Sequence, residues 1–289
     1  MVSPNLAHVR PMRKDDVGAA YEMASIAFAD SEELANRTPE EIEGRMSRYE
    51  NLLGHDPDGC WVAEDDGRVV GAAVSGVREG LWVLSLFVVD EGNRGAGIGG
   101  ELMRAALAYG EGCEAGMIAS STHPAAMRSY ANAGFVLHPT FTAKGKVRRE
   151  NIPDTPKVRE GGKDDLALAA DVDRQLRGAA HGVDLEFMLT RTKMLVADGA
   201  RGRGYAVVQE DGVRLLGATD RETASELLWA SLAKTGSGGE IEVSWITASQ
   251  DWAVRVVLDA GLDLHPDGPI CVKGTPGPLT PYLPSGPYL

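Results

Sequence analysis

The sequence predicts an α/β fold built as two domains, and three observations lead to this prediction. The chain has 289 residues, which favours two domains at roughly 100–200 residues per domain. Hydrophobic residues make up 43% and charged residues 25%, a composition typical of globular proteins rather than of disordered or fibrous chains. A stretch near the N-terminus also returns in the second half of the chain, so the two domains are expected to be related.

The internal repeat consists of blocks that recur in the same order. Val9–Val17 returns as Val158–Leu166, the turn Glu64–Gly67 is matched by Gln209–Gly212, and Ala133–Pro139 returns as Ala260–Pro266. On these matches the second copy is shorter, by about the length of one strand plus a loop. We therefore expect a first copy over residues 1–150, a proline-containing linker over 151–157, a second copy over 158–274, and a proline-rich segment over 275–289, here called the C-terminal strap.

Hydrophobic periodicity predicts the elements of the first copy in order. Helical spacing of apolar residues indicates helices, and short apolar runs bounded by turn residues indicate strands. The predicted strands are His8–Arg13, Trp61–Ala63, Val69–Val77, Leu81–Val89, Met117–Ser120 and Phe135–Lys144. The predicted helices are Lys14–Ala29, Pro39–Leu53, Glu101–Tyr109 and Pro124–Ala133.

Charge and cysteine usage exclude several classes of function. The net charge is −13, and no block of lysine or arginine forms the basic surface that nucleic acids or anionic membranes require. The longest apolar run, Leu81–Val89, is about half a membrane span, and no signal peptide is recognisable. Three widely spaced cysteines indicate neither a disulfide framework nor a metal site. We therefore expect a cytoplasmic protein without nucleic-acid, membrane or metal partners. The sequence leaves the oligomeric state open, and an oligomer is possible.

The segment that carries the chemistry is a glycine-rich loop, Arg94–Gly100, which follows the apolar strand Leu81–Val89 and opens a helix. Glycines let backbone N–H groups approach an anion closely, and a helix N-terminus adds partial positive charge. A diphosphate would fit there, although such a loop can also be only a tight turn. The loop lacks the Gly-Lys-Ser/Thr of a Walker motif, and it does not follow the first strand of a βαβ unit as a Rossmann fingerprint does.

At these residues the chain resembles the GNAT superfamily of acetyl-CoA-dependent N-acetyltransferases. Arg94-Gly-Ala-Gly97-Ile-Gly99 after Leu86-Phe-Val88 fits the family's Arg/Gln-x-x-Gly-x-Gly/Ala signature. Ser129-Tyr130-Ala-Asn-Ala-Gly134-Phe135 fits its second signature, a helix with a tyrosine followed by a Gly-Phe pair. The resemblance covers residues 8–148 well and residues 157–274 weakly. It implies two GNAT-like domains, each with a mixed, mostly antiparallel sheet flanked by helices.

The resemblance also implies roles for individual residues. Tyr130 would protonate the departing thiolate, although it could equally be a packing residue of its helix. The backbone of the strand would pair with the pantetheine arm, and the glycine loop would hold the pyrophosphate. The implied coenzyme A contacts are Phe87, Val88, Val89, Arg94, Gly95, Ala96, Gly97, Ile98, Gly99, Gly100, His123 and Tyr130.

Two positions depart from the family pattern. Trp82 stands where many members carry a glutamate that activates the amine, so the identity of the general base is left open. By topology the candidates are Glu79, Asp90, Glu32 and Glu33. His123 stands where the family often has an asparagine that contacts the cofactor; the alternative is a cap of the helix that begins at Pro124, or a surface residue.

The second copy is expected to lack a working site. Val257 falls at the position of Tyr130, and Glu226 aligns with Gly99, where a carboxylate would repel a diphosphate. The C-terminal strap contains five prolines among sixteen residues counted from Gly274, so we expect an ordered, extended segment on the protein surface. Its last residue, Leu289, could supply a carboxylate as general base; the alternative is that the strap only holds the two copies together.

The sequence thus predicts an N-acetyltransferase that moves an acetyl group from acetyl-CoA to a primary amine by direct attack. The acceptor is open among small-molecule and peptide amines. The alternative is a non-catalytic acyl-CoA-binding or regulatory protein that retains the glycine loop without turnover.

Overall fold

The computed structural model describes residues 7–28, 31–236 and 238–289, with the backbone alone for residues 31–33. Strands form a mixed sheet flanked by helices, which confirms the predicted fold class. The strands are β1 (His8–Pro11), β2 (Cys60–Asp65), β3 (Arg68–Arg78), β4 (Leu81–Val89), β5 (Ala115–Ala119), β6 (Val136–Gly145), β7 (Val158–Gly161), β8 (Lys193–Asp198), β9 (Arg203–Gln209), β10 (Gly212–Ala218), β11 (Ile241–Thr247), β12 (Asp263–Gly274) and β13 (Tyr282–Leu283). The helices are α1 (Val17–Phe28), α2 (Ser31–Asn36), α3 (Pro39–His55), α4 (Ile98–Tyr109), α5 (Pro124–Asn132), α6 (Leu166–Arg177), α7 (Val183–Met188), α8 (Arg221–Lys234) and α9 (Asp251–Asp259).

The chain divides into two compact units. The first holds the described residues up to Val77 together with Trp82–Cys113, and the second holds Arg78–Leu81 and Glu114–Leu289. The second unit therefore includes β5, α5 and β6, which the repeat assigns to the first copy. The domain boundary expected near residue 150 separates the two copies of the repeat and not the two compact units. Its support is the sequence matches.

The first unit is built on the strand order β1-β2-β3-β4. Helix α4 buries Ile98, Leu102 and Ala106, which are spaced one helical turn apart and therefore share one face. That face packs on the sheet at Gly71, where an added Cβ would lie 2.8 Å from a methyl group of Leu102. Glycine at this position allows the close contact that fixes the start of α4 beside the end of β4.

The second unit has the strand order β5-β12-β6-β11-β10-β9-β8-β7. Only the β10–β11 pair is parallel among the pairs of this order, so the sheet is mixed and mostly antiparallel. Strand β6 lies between β12 and β11, and β12 lies between β5 and β6. If the repeat defines two copies, their last strands are exchanged, which explains why the compact units do not follow the repeat.

The repeated block near the start of each copy forms the same local structure twice. Arg10 makes two hydrogen bonds of 2.7 and 2.9 Å to the carboxylate of Asp16, which also accepts the Arg13 N–H. Arg159 pairs in the same way with Asp165, at 3.0 and 2.6 Å. In both places a strand leads through this pair into a short 3-10 turn and a helix. The matching residues therefore form the same arginine–aspartate pair at the start of a helix in both places.

One match within the repeat is wrong. The turn after Glu64 joins β2 to β3, whereas the turn at Asp211-Gly212 joins β9 to β10, the following hairpin in the strand order. The second half therefore has a strand, β10, between the β8–β9 hairpin and α8, in the position that β4 holds before α4. The expected loss of a strand is not observed. What is shorter is the connection to the helix, which runs from Ala218 to Arg221.

The C-terminal strap was expected on the surface, but it is largely buried. Tyr282, Leu283, Tyr288 and Leu289 are each no more than 5% exposed. Strand β13 of the strap pairs with β10, so the strap is part of the second unit's interior. Aromatic and leucine side chains gain more free energy when buried than when laid on a surface, which is the physical reason for the difference.

Candidate active site

The glycine loop in the first unit has the geometry of an anion cradle. Gly97 is the N-cap of α4 and has a left-handed backbone with φ of 89°. Its carbonyl accepts the first helical hydrogen bonds, from the N–H groups of Gly100 and Glu101 at 3.0 and 3.2 Å. The N–H groups of Ile98 and Gly99 precede those bonds and lie at the positive end of the helix dipole.

The space around the loop is open where a ligand would approach. An added Cβ at Gly95, Gly97 or Gly100 would have no heavy atom of the described chain within 4 Å. An added Cβ at Gly99 would instead meet the side chains of Phe87 and Val89 at 3.6 and 3.7 Å. Gly99 therefore brings the helix start close to the end of β4, while the other glycines keep the approach to the backbone free.

Arg94 connects the loop to β4. Its side chain is exposed, and its Nε donates to the carbonyl oxygen of Val89 at 3.2 Å. The side chains of Phe87 and Val89 on β4 are partly exposed, whereas those of Leu86 and Val88 are buried, as alternation along a strand requires. The predicted contacts from Phe87 to Gly100 thus form one continuous patch of the first unit.

The remaining predicted site residues belong to the second unit. Tyr130 lies on α5 and is 4% exposed. Burial, with a smaller contribution from Cys271, raises the pKa of the Tyr130 hydroxyl above its ordinary value. The hydroxyl therefore keeps its proton at neutral pH, a property that a general acid needs.

His123 is the N-cap of α5. Its Nδ1 accepts the Ala125 N–H at 3.2 Å, so the ring carries its proton on Nε2. This is the capping role that the sequence left open. The cofactor contact stays a prediction, for which Nε2 is the remaining ring atom.

Leu289 is fully buried in the second unit. Its N–H donates to the Ser285 carbonyl at 2.6 Å, and the carbonyl of the neighbouring Tyr288 accepts from Arg177 at 3.2 Å. The residue is thus held in a turn at the end of the strap.

The candidate bases behave differently from one another. Glu79 accepts three hydrogen bonds from Arg174, at 2.8, 2.9 and 3.2 Å, and a fourth from the Ala180 N–H, and these bonds lower the pKa of its carboxyl. A carboxylate held in this way is a weak base. Asp90 faces Arg68 at 3.4 Å. The side chains of Glu32 and Glu33 lie outside the described residues.

Trp82, at the position of the family's glutamate, is 2% exposed and donates its indole N–H to the Ala106 carbonyl at 3.0 Å. It therefore packs β4 against α4, and the indole offers no group that accepts a proton. Among the residues that the structure describes, no group of three or more His, Cys, Asp or Glu side chains could hold a metal ion. Across the same residues, no helix is long and apolar enough to cross a membrane.

A buried polar cluster in the second unit was not predicted from the sequence. Asp173 accepts the N–H and the Nδ1–H of His181 at 3.1 and 2.7 Å, and it also accepts the hydroxyl of Tyr205. The hydroxyl of Tyr282 lies 3.4 Å from His181 Nε2. All four side chains are at most 2% exposed. These residues are spread over more than a hundred positions, so no local pattern could have identified the cluster.

The pKa values of His181 and Asp173 in this cluster are both lowered from their ordinary values. Burial and the nearby Arg177 guanidinium hold the pKa of His181 below its ordinary value, although Asp173 opposes them. Burial alone would raise the pKa of Asp173, but its cationic and hydrogen-bonding neighbours keep it lowered. At neutral pH the cluster therefore contains an ionised Asp173 and a neutral His181.

Comparisons with known proteins agree with this geometry. Residues 21–135 match the acetyltransferase (GNAT) family. A proposed acetyltransferase of Pyrococcus horikoshii has a similar fold, with a TM-score of 0.78 and 17% identity over 98% of this chain and 95% of that one. A search of curated protein sequences found no significant match.

Two further solved structures extend the likeness across most of the chain. A GCN5-related N-acetyltransferase of Sphaerobacter thermophilus has a TM-score of 0.60 at 14% identity, covering 95% of this chain and 98% of that one. A tandem GNAT protein from the clavulanic acid biosynthesis pathway has a TM-score of 0.59 at 14% identity, covering 92% and 98%. Residues 21–135 are therefore similar to the GNAT acetyltransferase family, and the chain as a whole has a fold similar to that of these structures.

Proposed function

We propose that this protein is an acetyl-CoA-dependent N-acetyltransferase that acetylates a primary amine by direct attack. The observation that carries the proposal is the open glycine loop at the start of α4, directly after β4. A GNAT domain implies acyl transfer from an acyl-CoA to an amine. The choice of acetyl as the acyl group, and of a primary amine as acceptor, is the part that we propose.

The diphosphate of acetyl-CoA would bind to the loop Arg94–Gly100. Ile98 and Gly99 offer N–H groups at the helix N-terminus, directly after the left-handed Gly97. Gly95, Ala96 and Gly100 are exposed, which leaves room for the phosphate oxygens.

The pantetheine arm would add to β4 as an extra strand along Phe87, Val88 and Val89. The Val89 carbonyl already accepts from Arg94, so the groups that remain for the cosubstrate lie nearer the centre of the strand. The N–H of Val88 or Val89 would polarise the thioester carbonyl and stabilise the negative charge that develops on its oxygen.

The chemical step needs one proton donor and one proton acceptor. The amine lone pair forms a bond to the thioester carbon, the carbon–sulfur bond breaks, and the Tyr130 hydroxyl would give its proton to the departing sulfur. The Tyr130 hydroxyl carries a proton at neutral pH, as the step requires, although burial raises its pKa and makes it a weaker acid. His123, at the start of the same helix, would contact the cosubstrate through Nε2.

The acceptor of the ammonium proton is the least constrained part of the mechanism. With Trp82 in place of a glutamate and Glu79 paired to Arg174, the carboxylate of Leu289 is a candidate from the sequence, beside Asp90, Glu32 and Glu33. Its complete burial and its fixed turn support the alternative, in which the strap is an anchor and water takes the proton. The proposal also includes a reducing, cytoplasmic setting, which rests on three free, widely spaced cysteines.

The proposal is tested by release of free coenzyme A thiol from acetyl-CoA in the presence of a panel of amines. Aminoglycosides, polyamines, amino acids and peptide N-termini are compared at equal concentration. We expect thiol release that depends on at least one amine. Tight binding of coenzyme A with no amine-dependent release would favour the alternative, a non-catalytic acyl-CoA-binding protein.

A further inference from the structure

Strand β10 has one edge that is shared by two different partners. Its other edge is occupied along its length by β9, from Gly212 to Ala218. On the shared edge, β11 pairs in parallel only at Gly212 and Val213. Farther along, Leu216 and Gly217 pair with β13 of the C-terminal strap. Strands β10 and β11 therefore separate after two residues, and the strap enters the opening between them.

The strap contacts both sides of this opening. On the β10 side, the Ala218 N–H donates to the Pro281 carbonyl at 3.2 Å, which extends the pairing by one bond. On the β11 side, Gly286 lies against Trp245, where an added Cβ would be 3.1 Å from the indole nitrogen. Trp245 has a positive φ of 62°, at an irregularity in the pairing of β11 with β6. The strap thus fills the gap from one strand to the other.

A side-chain pocket holds Tyr282 within the opening. Its ring is 2% exposed and lies over Gly217, and its hydroxyl reaches His181 in the buried polar cluster. Its backbone N–H donates to Gln250 at 3.1 Å. A pocket with a hydrogen-bond partner at its end recognises a tyrosine better than another aromatic residue.

The two ends of the strap are also fixed by polar groups. Gln250 donates to the Leu279 carbonyl at 2.7 Å, and the Leu279 N–H donates to Leu176 at 2.9 Å. The fully buried Arg177 donates to the Tyr288 carbonyl at 3.2 Å. Such main-chain pairing, together with a side-chain pocket, is how proteins bind extended peptides by adding a strand to a sheet.

The same opening is unsuited to a coenzyme. Helix α8, which follows β10, begins under the carboxylate of Asp220, which accepts the Thr223 N–H at 2.9 Å. Negative charge at a helix start occupies the place where a diphosphate would bind and repels it.

We propose that the opening between β10 and β11 is a peptide-binding groove whose ligand is the chain's own segment 279–289. In strand order β10 corresponds to β4, so the groove occupies the position at which the first copy would bind pantetheine. The second copy has thereby exchanged an acyl-CoA site for a strand-addition site. The inference concerns the second unit and holds whether or not the first copy transfers acetyl groups.

The test uses the full chain with a specific protease site inserted between Gly274 and Thr275, at exposed positions before the strap. Cleavage leaves the segment 275–289 as a separate peptide. We expect this peptide to stay with the protein during gel filtration and to remain bound in saturating coenzyme A. Loss of the peptide from a folded protein, or its displacement by coenzyme A, would overturn the proposal.

Exchange of the bound segment for a labelled copy of the same peptide tests the pocket. Tyr282→Ala in the peptide is expected to speed its dissociation at least tenfold, because the ring and its hydroxyl leave the pocket. Pro278→Ala is the matched control, since Pro278 is exposed, and its dissociation rate should be unchanged. Equal rates for the two variants would contradict the groove.

Should the cleaved chain aggregate, hydrogen exchange in the intact chain decides. The Ala218 amide donates to the strap and should exchange at least tenfold faster in Tyr282→Ala than in Pro278→Ala. Equal protection of Ala218 in the two variants would overturn the proposal.

Discussion

Gly97 offers a sharp test of the anion cradle, because the chain contains a matched control for it. We predict that Gly97→Glu weakens coenzyme A binding at least tenfold, whereas Gly112→Glu leaves it unchanged. Both glycines are exposed, have φ of 89° and 91°, and have no heavy atom of the described chain within 4 Å of an added Cβ. The two substitutions therefore add the same side chain and charge to equally strained, equally open positions.

The magnitude follows from strain and charge. A side chain in the left-handed region costs about 1–2 kcal/mol, so both variants should lose that much stability. A carboxylate about 5 Å from a phosphate charge repels it by about 0.8 kcal/mol in water, which gives about 1.7 kcal/mol for the two charges of a diphosphate. Since about 1.4 kcal/mol corresponds to a factor of ten, charge alone accounts for a tenfold loss of affinity.

Titration calorimetry with coenzyme A at low and high salt measures the effect. Gly97→Gln keeps the size of the side chain and removes the charge, so its affinity should lie between those of wild type and Gly97→Glu. The gap between the Glu and Gln variants should narrow at 1 M salt, where screening acts over about 3 Å. Equal affinities for Gly97→Glu and Gly112→Glu would refute the assignment of the loop as the diphosphate site.

Three further predictions concern the second unit and the acid. Tyr130→Phe should lower turnover about 10²–10⁴-fold with little change in acetyl-CoA binding. Tyr109→Phe, which loses a hydroxyl bonded to Asp56, is the control. Near-wild-type turnover of Tyr130→Phe would show that Tyr130 only packs its helix. Because the folded pKa of His181 is lowered, the unfolded chain takes up a proton below about pH 6.5 that the folded chain does not, so the unfolding free energy should fall from pH 7 to pH 5 by up to about 1.4 kcal/mol per pH unit. Unfolding free energies from urea titrations at several pH values should depend less steeply on pH in His181→Gln than in wild type. The same pH dependence in both proteins would contradict the neutral, buried state of His181. Deleting Tyr288 and Leu289 should lower the unfolding free energy by about 3 kcal/mol or more, since two buried side chains are lost and the buried Arg177 loses a carbonyl partner. Loss of turnover with unchanged melting temperature would instead assign the Leu289 carboxylate to the chemistry.

Local patterns predicted the first copy well because its structure depends on neighbours in the sequence. The apolar run Leu81–Val89 is β4 to the residue, and the glycines after it open α4. Pro124 and Gly134 bracket α5 as a proline at the first helical turn and a left-handed glycine beyond its end. The nearly continuous apolar character of β4 identified a strand whose first four residues, Leu81–Leu84, are buried on both faces.

Local patterns did not predict which strands pair when they are far apart in the sequence. The turn at Asp211-Gly212 has the same residues as the turn at Asp66-Gly67 but joins a different pair of strands, since many hairpins accept an aspartate–glycine turn. If the repeat defines two copies, the exchange of β6 and β12 between them depends on pairing partners that no periodicity encodes. The burial of the strap depends on an opening between β10 and β11 that exists only in the folded sheet.

Transfer of a labelled acetyl group tests the central claim most directly. The protein is incubated with acetyl-CoA that carries an isotopic label in the acetyl group, together with the amine that best stimulates thiol release. We predict that the label moves to the amine in wild type and that transfer falls at least a hundredfold in Tyr130→Phe. Label that stays on coenzyme A, or that appears only as free acetate, would contradict the account of this protein as an N-acetyltransferase.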